Sequence, residues 1–388
     1  MTAEPFDRRL EDADPLDVQL GAPPVAASGR WMRSRLALGL SPTPRPGLVL
    51  LLAGMAIGPH GLRILSPAVL SFVDPAVSMA LAALGAFVGL DLRVRRPREQ
   101  RLLLAASIES AVTLVVVAAG VLAVHLWVGD ESTVAPWLLA VILGCCAASS
   151  AAPVHDEAVG NGSTASRIGE LDDLVPIVVG GMALAAMHSA TSASVLRLTG
   201  EAAGVAAIIA AGCWLLVAQT SVDSEQRVFS IGSLLLLGGS AAYLSVSALV
   251  SGLVGGVLWN VAGGAARDRI ERDLRYLQHP LLALLLVVAG ASMEPSPGIL
   301  LFGALYVVLR VIGKIAGGWL GGQLAGRGVP RDLGRHLVAP GIVAIAFAVN
   351  AAQRAGESVA ATALGIAVIG SLGSEVLTLV ARPRRQAA

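Results

Sequence analysis

Long apolar stretches separated by short polar segments run from about residue 47 almost to the end of the chain. A helix needs about 20 mostly apolar residues to cross the hydrocarbon core of a bilayer. By this criterion the pattern predicts an all-α polytopic membrane protein with about 12 transmembrane helices. Their predicted ranges are 47–58, 76–90, 102–128, 135–152, 168–190, 200–221, 228–243, 245–262, 278–293, 298–325, 335–353 and 358–380.

Helix breakers interrupt two of these predicted helices at comparable places in the two halves of the chain. Ser149 and Ser150 lie near the end of the fourth helix and Pro153 directly follows it, and the eleventh helix contains Pro340 and Gly341. Non-helical backbone is tolerated at membrane depth only where protein buries it or where it lines a water-filled cavity. Paired interruptions are typical of transporters built from inverted repeats, so we expect these backbone and polar groups to line a binding site.

The composition supports a membrane protein, with 55% hydrophobic and 14% charged residues. A net charge of +1 gives no indication of a nucleic-acid partner. The three cysteines lie in apolar stretches, which favours packing roles over disulfides, and no cofactor is predicted. Residues 1–46 mix acids, arginine and proline, so we expect a largely disordered cytoplasmic arm; 383–388 are expected to form a short cytoplasmic tail.

The arginines predict the orientation of the helices. Most of them fall in alternate loops, whereas the intervening loops contain only Arg63, Arg197 and Arg354. Because cytoplasmic loops carry an excess of Lys and Arg, both termini are predicted to be cytoplasmic. The expected location is the inner (plasma) membrane of the cell.

Three charged residues inside predicted helices are candidates for a functional site. Asp172 and Asp173 are neighbours in the fifth helix, and Lys314 lies in the tenth. An ionisable side chain at the bilayer centre costs about 2.5–3.5 kcal/mol or more, so it is expected to have a partner or a function. Lys314 is the only lysine in the chain, which otherwise uses arginine as its cation. Lysine is the cation that changes protonation more readily on burial. We therefore predict an ion- and proton-binding site formed by these three residues.

Two further charged residues lie inside predicted helices. Glu109 is in the third helix and Arg310 is in the tenth, one turn before Lys314. Because charges are scarce at this depth, a buried Glu109–Arg310 pair is a second hypothesis.

Five stretches resemble, in chain order, motifs of the monovalent cation:proton antiporter superfamily. They are 52–62 (ending IGPHGL), 84–92 (LGAFVGLDL), 171–173 (LDD), 288–293 (VAGASM) and 313–314 (GK). The resemblance extends over about 47–380, nearly the whole chain.

The resemblance implies a fold with a dimerisation domain and a core domain that contains two crossing broken helices. Within 47–382, the core helices would include 76–190 and 278–380, and the dimerisation helices would include 47–58 and 200–262. By matching position, Asp173 would bind the transported monovalent cation or protons, and Asp172 would pair with Lys314. The implied function is exchange of Na⁺ or K⁺ for protons by alternating access in a homodimer.

Alternative functions remain open at this point. A sodium-coupled symporter of organic anions can have the same architecture, and a transport-inactive homologue is a second possibility. An intramembrane aspartyl protease needs two aspartates on different helices, whereas Asp172 and Asp173 are neighbours that point about 100° apart on one helix. The sequence therefore favours a transporter over an enzyme.

Overall fold

The computed structural model describes residues 45–92, 97–128, 136–151, 162–189, 191–325, 333–354 and 357–381, and the structural statements below concern these residues. Most of the predicted arm, the predicted tail and Pro153 lie outside them. The helices are α1 (Arg45–Ile57), α2 (Pro67–Asp91), α3 (Pro97–Val128), α4 (Pro136–Ala148), α5 (Gly162–Leu171), α6 (Leu174–Met187), α7 (Ser192–Gln219), α8 (Asp223–Tyr243), α9 (Ala248–Ala262), α10 (Gly264–Ala291), α11 (Pro297–Leu324), α12 (Leu333–His336), α13 (Ile342–Arg354) and α14 (Glu357–Ala381).

Each predicted transmembrane helix corresponds to one helix or to a pair of helices. The fifth is divided between α5 and α6, and the eleventh between α12 and α13. Among the described residues, 6 helices are long and apolar enough to cross a membrane, namely α2, α3, α7, α10, α11 and α14. Helices α1, α4, α9 and α13 are shorter but also apolar. The chain is therefore a polytopic, all-α membrane protein.

The helices pack in two groups. In the first, which we call the core group, α3 lies along α11 and α4, and α14 lies against α11 and α13; α5, α6 and α12 belong to it as well. In the second, which we call the flanking group, α2 lies along α9 and α1 lies along α10, with α7 and α8 alongside. The resemblance placed 76–90 and 278–293 with the core helices, but the helices there, α2 and α10, pack mainly within the flanking group.

Glycines explain why α2 and α9 pack so closely. A Cβ atom added to Gly85 on α2 would lie 2.0 Å from the carbonyl oxygen of Leu249, and one added to Gly256 on α9 would lie 2.1 Å from that of Ala86. Small residues that allow such backbone approach are a common means of helix association in membranes.

A second glycine contact joins α3 to α11 in the core group. A Cβ atom on Gly317 would lie 2.5 Å from the carbonyl oxygen of Glu109, and one on Gly313 would lie 3.1 Å from Thr113 Cα. The backbones of α3 and α11 therefore touch at the depth where Glu109 and Lys314 are located.

We expect Gly317→Ala to lower the free energy of unfolding by about 1–3 kcal/mol, because its methyl group meets backbone that can move away only by separating two helices. The measurement is denaturant unfolding of the detergent-solubilised protein. Gly212→Ala on α7 is the matched control, because no atom lies within 4 Å of the added Cβ. Since alanine is the better helix former, this control should be neutral or slightly stabilised. Equal responses of the two variants would contradict the importance of the close α3–α11 contact.

Candidate functional site

Two non-helical stretches meet inside the core group. Helix α4 ends at Ala148 and α12 ends at His336, and the chain continues as 149–151 and 337–341. Ser150 and Pro340 form an antiparallel bridge, and the Ala151 N–H donates to the Ala339 carbonyl over 3.0 Å. The predicted crossing of two interrupted helices is therefore present. We call this pair of stretches the crossing.

Gly341 has a steric reason to be glycine. A Cβ atom at this position would lie 2.6 Å from Ser149 Oγ and 2.7 Å from the carbonyl oxygen of Ser150. The two stretches of the crossing thus approach each other more closely than any side chain on residue 341 allows.

Arg310 supplies hydrogen-bond donors to the crossing. Its guanidinium donates to the carbonyls of Ala147 (2.6 Å) and Ser149 (2.6 Å). The remaining acceptors are the carbonyls of Cys146 (3.1 Å), Val338 (3.2 Å) and Ala339 (3.3 Å). These carbonyls have lost helical partners where α4 and α12 end, and helix C-termini carry partial negative charge. Arg310 therefore provides hydrogen bonds to the free carbonyls of α4 and α12 and neutralises the partial negative charge at the C-terminal ends of these two helices.

The predicted Glu109–Arg310 pair is wrong, because Glu109 binds Lys314 instead. Lys314 Nζ lies 3.1 Å from Glu109 Oε1 and 3.1 Å from Asp172 Oδ2, and it also donates to the carbonyl of Ala148. The Lys314–Asp172 contact is the one the sequence predicted. An ammonium group has three N–H donors, and these three partners occupy all of them. All three charged side chains are fully buried, with 0% exposure.

Glu109 has a second partner on its own helix. The Thr113 hydroxyl donates to Glu109 Oε1 over 3.0 Å, one turn further along α3. Glu109 is therefore held from two directions, by Thr113 and by Lys314. Sequence reasoning found this acid but gave it the wrong partner.

The local backbone at the acid pair follows from a proline. Pro176 has no N–H, so the carbonyl of Asp172, four residues earlier, loses its helical donor. The Ser110 hydroxyl on α3 donates to this carbonyl instead, over 2.8 Å. The carboxylate of Asp172 also accepts a hydrogen bond, from the Ser150 N–H to Oδ1 over 3.4 Å. Asp172 is thus tied to α3, to the crossing and to Lys314, and the helix is interrupted between α5 and α6.

Asp173 differs from its neighbour in having an oxygen without a partner. Its side chain is 8% exposed, and among the described residues its Oδ1 is buried with no hydrogen-bond donor. The buried hydroxyls of Ser149 and Ser150 also lack partners there, and Ser149 lies beside Asp173. Carboxylate and hydroxyl oxygens are hard ligands of the type that hard cations take.

The structure thus brings together all the predicted site residues that it describes. Asp172, Asp173 and Lys314 lie at the crossing formed by Ser149, Ser150, Pro340 and Gly341, with Arg310 and Glu109 around them. Pro153 is outside the described residues.

Comparisons with known proteins agree with this architecture. No protein-family model and no curated protein matches the chain. Among solved structures, the chain is similar to the sodium proton antiporter MjNhaP1 from Methanocaldococcus jannaschii, determined at pH 8, with a TM-score of 0.60. The match covers 86% of this chain and 89% of that chain at 17% sequence identity. At this identity the similarity shows the fold alone, which is like that of the matched structure.

Proposed function

We propose that this chain, which has the antiporter fold, is a secondary active antiporter that exchanges a monovalent cation, Na⁺ or K⁺, for protons across the membrane. The observation that carries the proposal is the difference between the two adjacent acids. Lys314 holds Asp172, whereas Asp173 is buried beside it with an oxygen that accepts no hydrogen bond from the described residues. Asp173 is therefore the acid available to a transported ion.

The charges of the site explain why a cation and a proton would compete. Two cations, Arg310 and Lys314, and three acids, Glu109, Asp172 and Asp173, are buried in and around the crossing, so full ionisation leaves one negative charge in excess. An uncompensated buried charge is strongly unfavourable. One monovalent cation or one proton bound at Asp173 neutralises the excess negative charge. Because a second positive charge would again be uncompensated, binding of the cation excludes the proton and binding of the proton excludes the cation.

Glu109 gives the site a way to exchange partners without leaving Lys314 unpaired. A cation bound by Asp173 and Asp172 draws Asp172 away from the ammonium. Lys314 then retains Glu109, which it contacts through both carboxylate oxygens, at 3.1 and 3.2 Å. The buried ammonium thus keeps an anionic partner in both states of the site.

Alternating access requires the core group to move against the flanking group. Polar contacts between the groups are found towards the ends of helices. Arg167 on α5 donates to the carbonyl of Asp91 over 2.8 Å. Asn350 on α13 donates to Ser247 Oγ over 2.7 Å, and Arg354 donates to the carbonyl of Ala242 over 3.1 Å. Breaking such contacts at one end while keeping those at the other end would expose the site to one side at a time.

The finer features of the proposal come from the sequence. The distribution of arginines supports cytoplasmic termini. The resemblance supports a homodimer, with the helices of 47–58 and 200–262 (α1, α7, α8 and α9) in the dimerisation domain.

Purified protein in liposomes with a pH-sensitive dye tests the proposal. After a proton gradient is imposed, Na⁺, Li⁺ and K⁺ are added in turn, and protein-free liposomes serve as the control. We expect at least one cation to dissipate the gradient. Folded protein that is silent with all three would contradict exchange. Sodium-driven uptake of an organic anion by that silent protein would indicate the symporter, and its absence would indicate a transport-inactive homologue.

A further inference from the structure

Three polar side chains on α14 point into the core group, away from the site described above. Ser371, Ser374 and Glu375 have exposures of 3%, 0% and 4%. Residues three and four positions apart lie on one face of a helix, which places the two serines and the acid together. The next residues, Val376 and Leu377, are exposed. The polar face is thus turned inward and the apolar face is turned towards the lipid.

Neighbouring helices locate this polar face. A Cβ atom on Gly370 would lie 2.2 Å from Cδ1 and 2.5 Å from Cε1 of the Tyr306 ring. A Cβ atom on Gly373 would lie 3.0 Å from the Val307 side chain. This part of α14 therefore packs on α11 about one turn before Arg310, in the membrane interior.

Each of the three side chains has an oxygen without a partner in the described part of the chain. Ser371 Oγ, Ser374 Oγ and Glu375 Oε1 are buried there without a hydrogen-bond partner, and no ion pair of Glu375 is found among the same residues. They are therefore three orphaned oxygen atoms on one helix face.

The charged groups on the surrounding helices are engaged elsewhere. Helix α14 packs on α11, α13 and α4, and over a shorter length on α10. Arg310 and Lys314 bind the crossing and the site acids, and Arg354 binds the carbonyl of Ala242. The other titratable residues of these four helices are Cys145, Cys146, Arg267, Asp268, Arg269, Glu271, Arg272, Asp273, Arg275, Tyr276, His279 and Tyr306. Those of α10 all precede residue 280, in the half of that helix where its polar residues are concentrated.

We propose that Glu375 is a second proton-binding site of the chain, held in the membrane interior as the neutral acid beside the hydroxyls of Ser371 and Ser374. An isolated buried carboxylate is neutralised rather than left ionised, because no cation compensates it. A carboxylic acid has one O–H donor and accepting oxygens, and a hydroxyl can donate and accept in turn, so two serines match it. Hard metal ions generally take about six oxygen ligands, more than this helix face offers.

The proposal goes beyond the exchange reaction and does not depend on it. The proton on Glu375 allows the inward face of α14 at Ser371, Ser374 and Glu375 to remain uncharged next to the helices that carry the site. It is an additional proton, bound apart from the one that competes with the cation at Asp173.

Infrared difference spectroscopy of the detergent-solubilised full chain tests this directly. At neutral pH, the spectrum of the unmodified protein minus that of Glu375→Gln should contain the carbonyl band of one protonated carboxylic acid, which shifts in D₂O. Glu201→Gln is the matched control, because Glu201 is an exposed acid on α7. Its difference spectrum should contain carboxylate bands instead. Carboxylate bands in the Glu375→Gln difference would overturn the proposal.

A second variant keeps the test informative if Glu375→Gln does not fold. Ser371→Ala combined with Ser374→Ala retains the acid, so its carbonyl band should shift in frequency without losing intensity. An unshifted band would contradict the role of the two hydroxyls.

Addition of Na⁺ or K⁺ to protein carrying Asp173→Asn should leave the carbonyl band of Glu375 unchanged. Loss of this band would indicate a metal-ion site and overturn the proposal. Because no transport is measured, a failure of the proposed exchange leaves these outcomes unaffected.

Discussion

Asp173→Asn should reduce cation-dependent proton movement in proteoliposomes to the level of protein-free liposomes. Asparagine keeps the shape of the side chain but removes its negative charge. The remaining acids, Glu109 and Asp172, then balance Arg310 and Lys314, so the site no longer needs a cation or a proton. The measurement is dissipation of an imposed pH gradient by the cation that is active with the unmodified protein.

The stability of this variant separates a lost site from a lost fold. Because Asp173 contributes the charge in excess, its replacement should leave the free energy of unfolding unchanged or raise it. Asp268→Asn is a suitable control, since Asp268 has a largely exposed side chain on α10. It should retain exchange. Intact exchange in Asp173→Asn would refute the assignment of Asp173 as the ion-binding acid.

Lys314→Gln should lower the free energy of unfolding by about 3–5 kcal/mol, the effect expected when one partner of a buried ion pair is removed. The change leaves Glu109 and Asp172 buried near each other without the ammonium that lies 3.1 Å from both. Denaturant unfolding in detergent measures the loss. Arg197→Gln is the control, because Arg197 forms an exposed pair with Glu201 that should contribute little.

A double variant tests the origin of that loss. Lys314→Gln combined with Glu109→Gln removes the ammonium and one of the two acids it holds. We expect the double variant to be more stable than Lys314→Gln alone, because fewer buried charges remain unpaired. The loss of stability in Glu109→Gln alone completes the comparison. If the losses of the two single variants simply add up to that of the double variant, Glu109 and Lys314 are not coupled, and the proposed exchange of partners at the site is wrong.

The transmembrane helices could be predicted from sequence for a physical reason. Lipid offers no hydrogen bonds to the backbone, so an apolar stretch of sufficient length must be helical. The crossing could be predicted for the same reason, because Pro340 and Gly341 interrupt a helix where only protein can satisfy the freed carbonyls. What the sequence does not show is that Arg310, on another helix, is the donor that satisfies them.

The partner of Glu109 could not be predicted. Arg310 and Lys314 are four residues apart and so lie on the same face of α11, about one turn from each other. Either cation was a reasonable partner by spacing alone. The choice depends on the carbonyls of the crossing, which occupy the guanidinium and leave the ammonium to Glu109.

The interruption at Asp172 had a signal in the sequence that the hydropathy pattern does not use. Pro176 shows which carbonyl loses its helical donor, but it does not show that Ser110, 62 residues earlier, replaces it. The grouping of helices has the same limit. Gly85 indicates that some helix approaches α2 closely, and only the structure identifies that helix as α9.

The complete burial of Lys314 has a practical consequence. Its side chain is the only lysine amine in the sequence, and it lies beyond the reach of water in the structure. An amine-selective acylating reagent can therefore modify this side chain only in molecules whose interior has opened. The extent of acylation, read by mass spectrometry, makes the native residue an intrinsic chemical reporter of opening, with no label or mutation introduced.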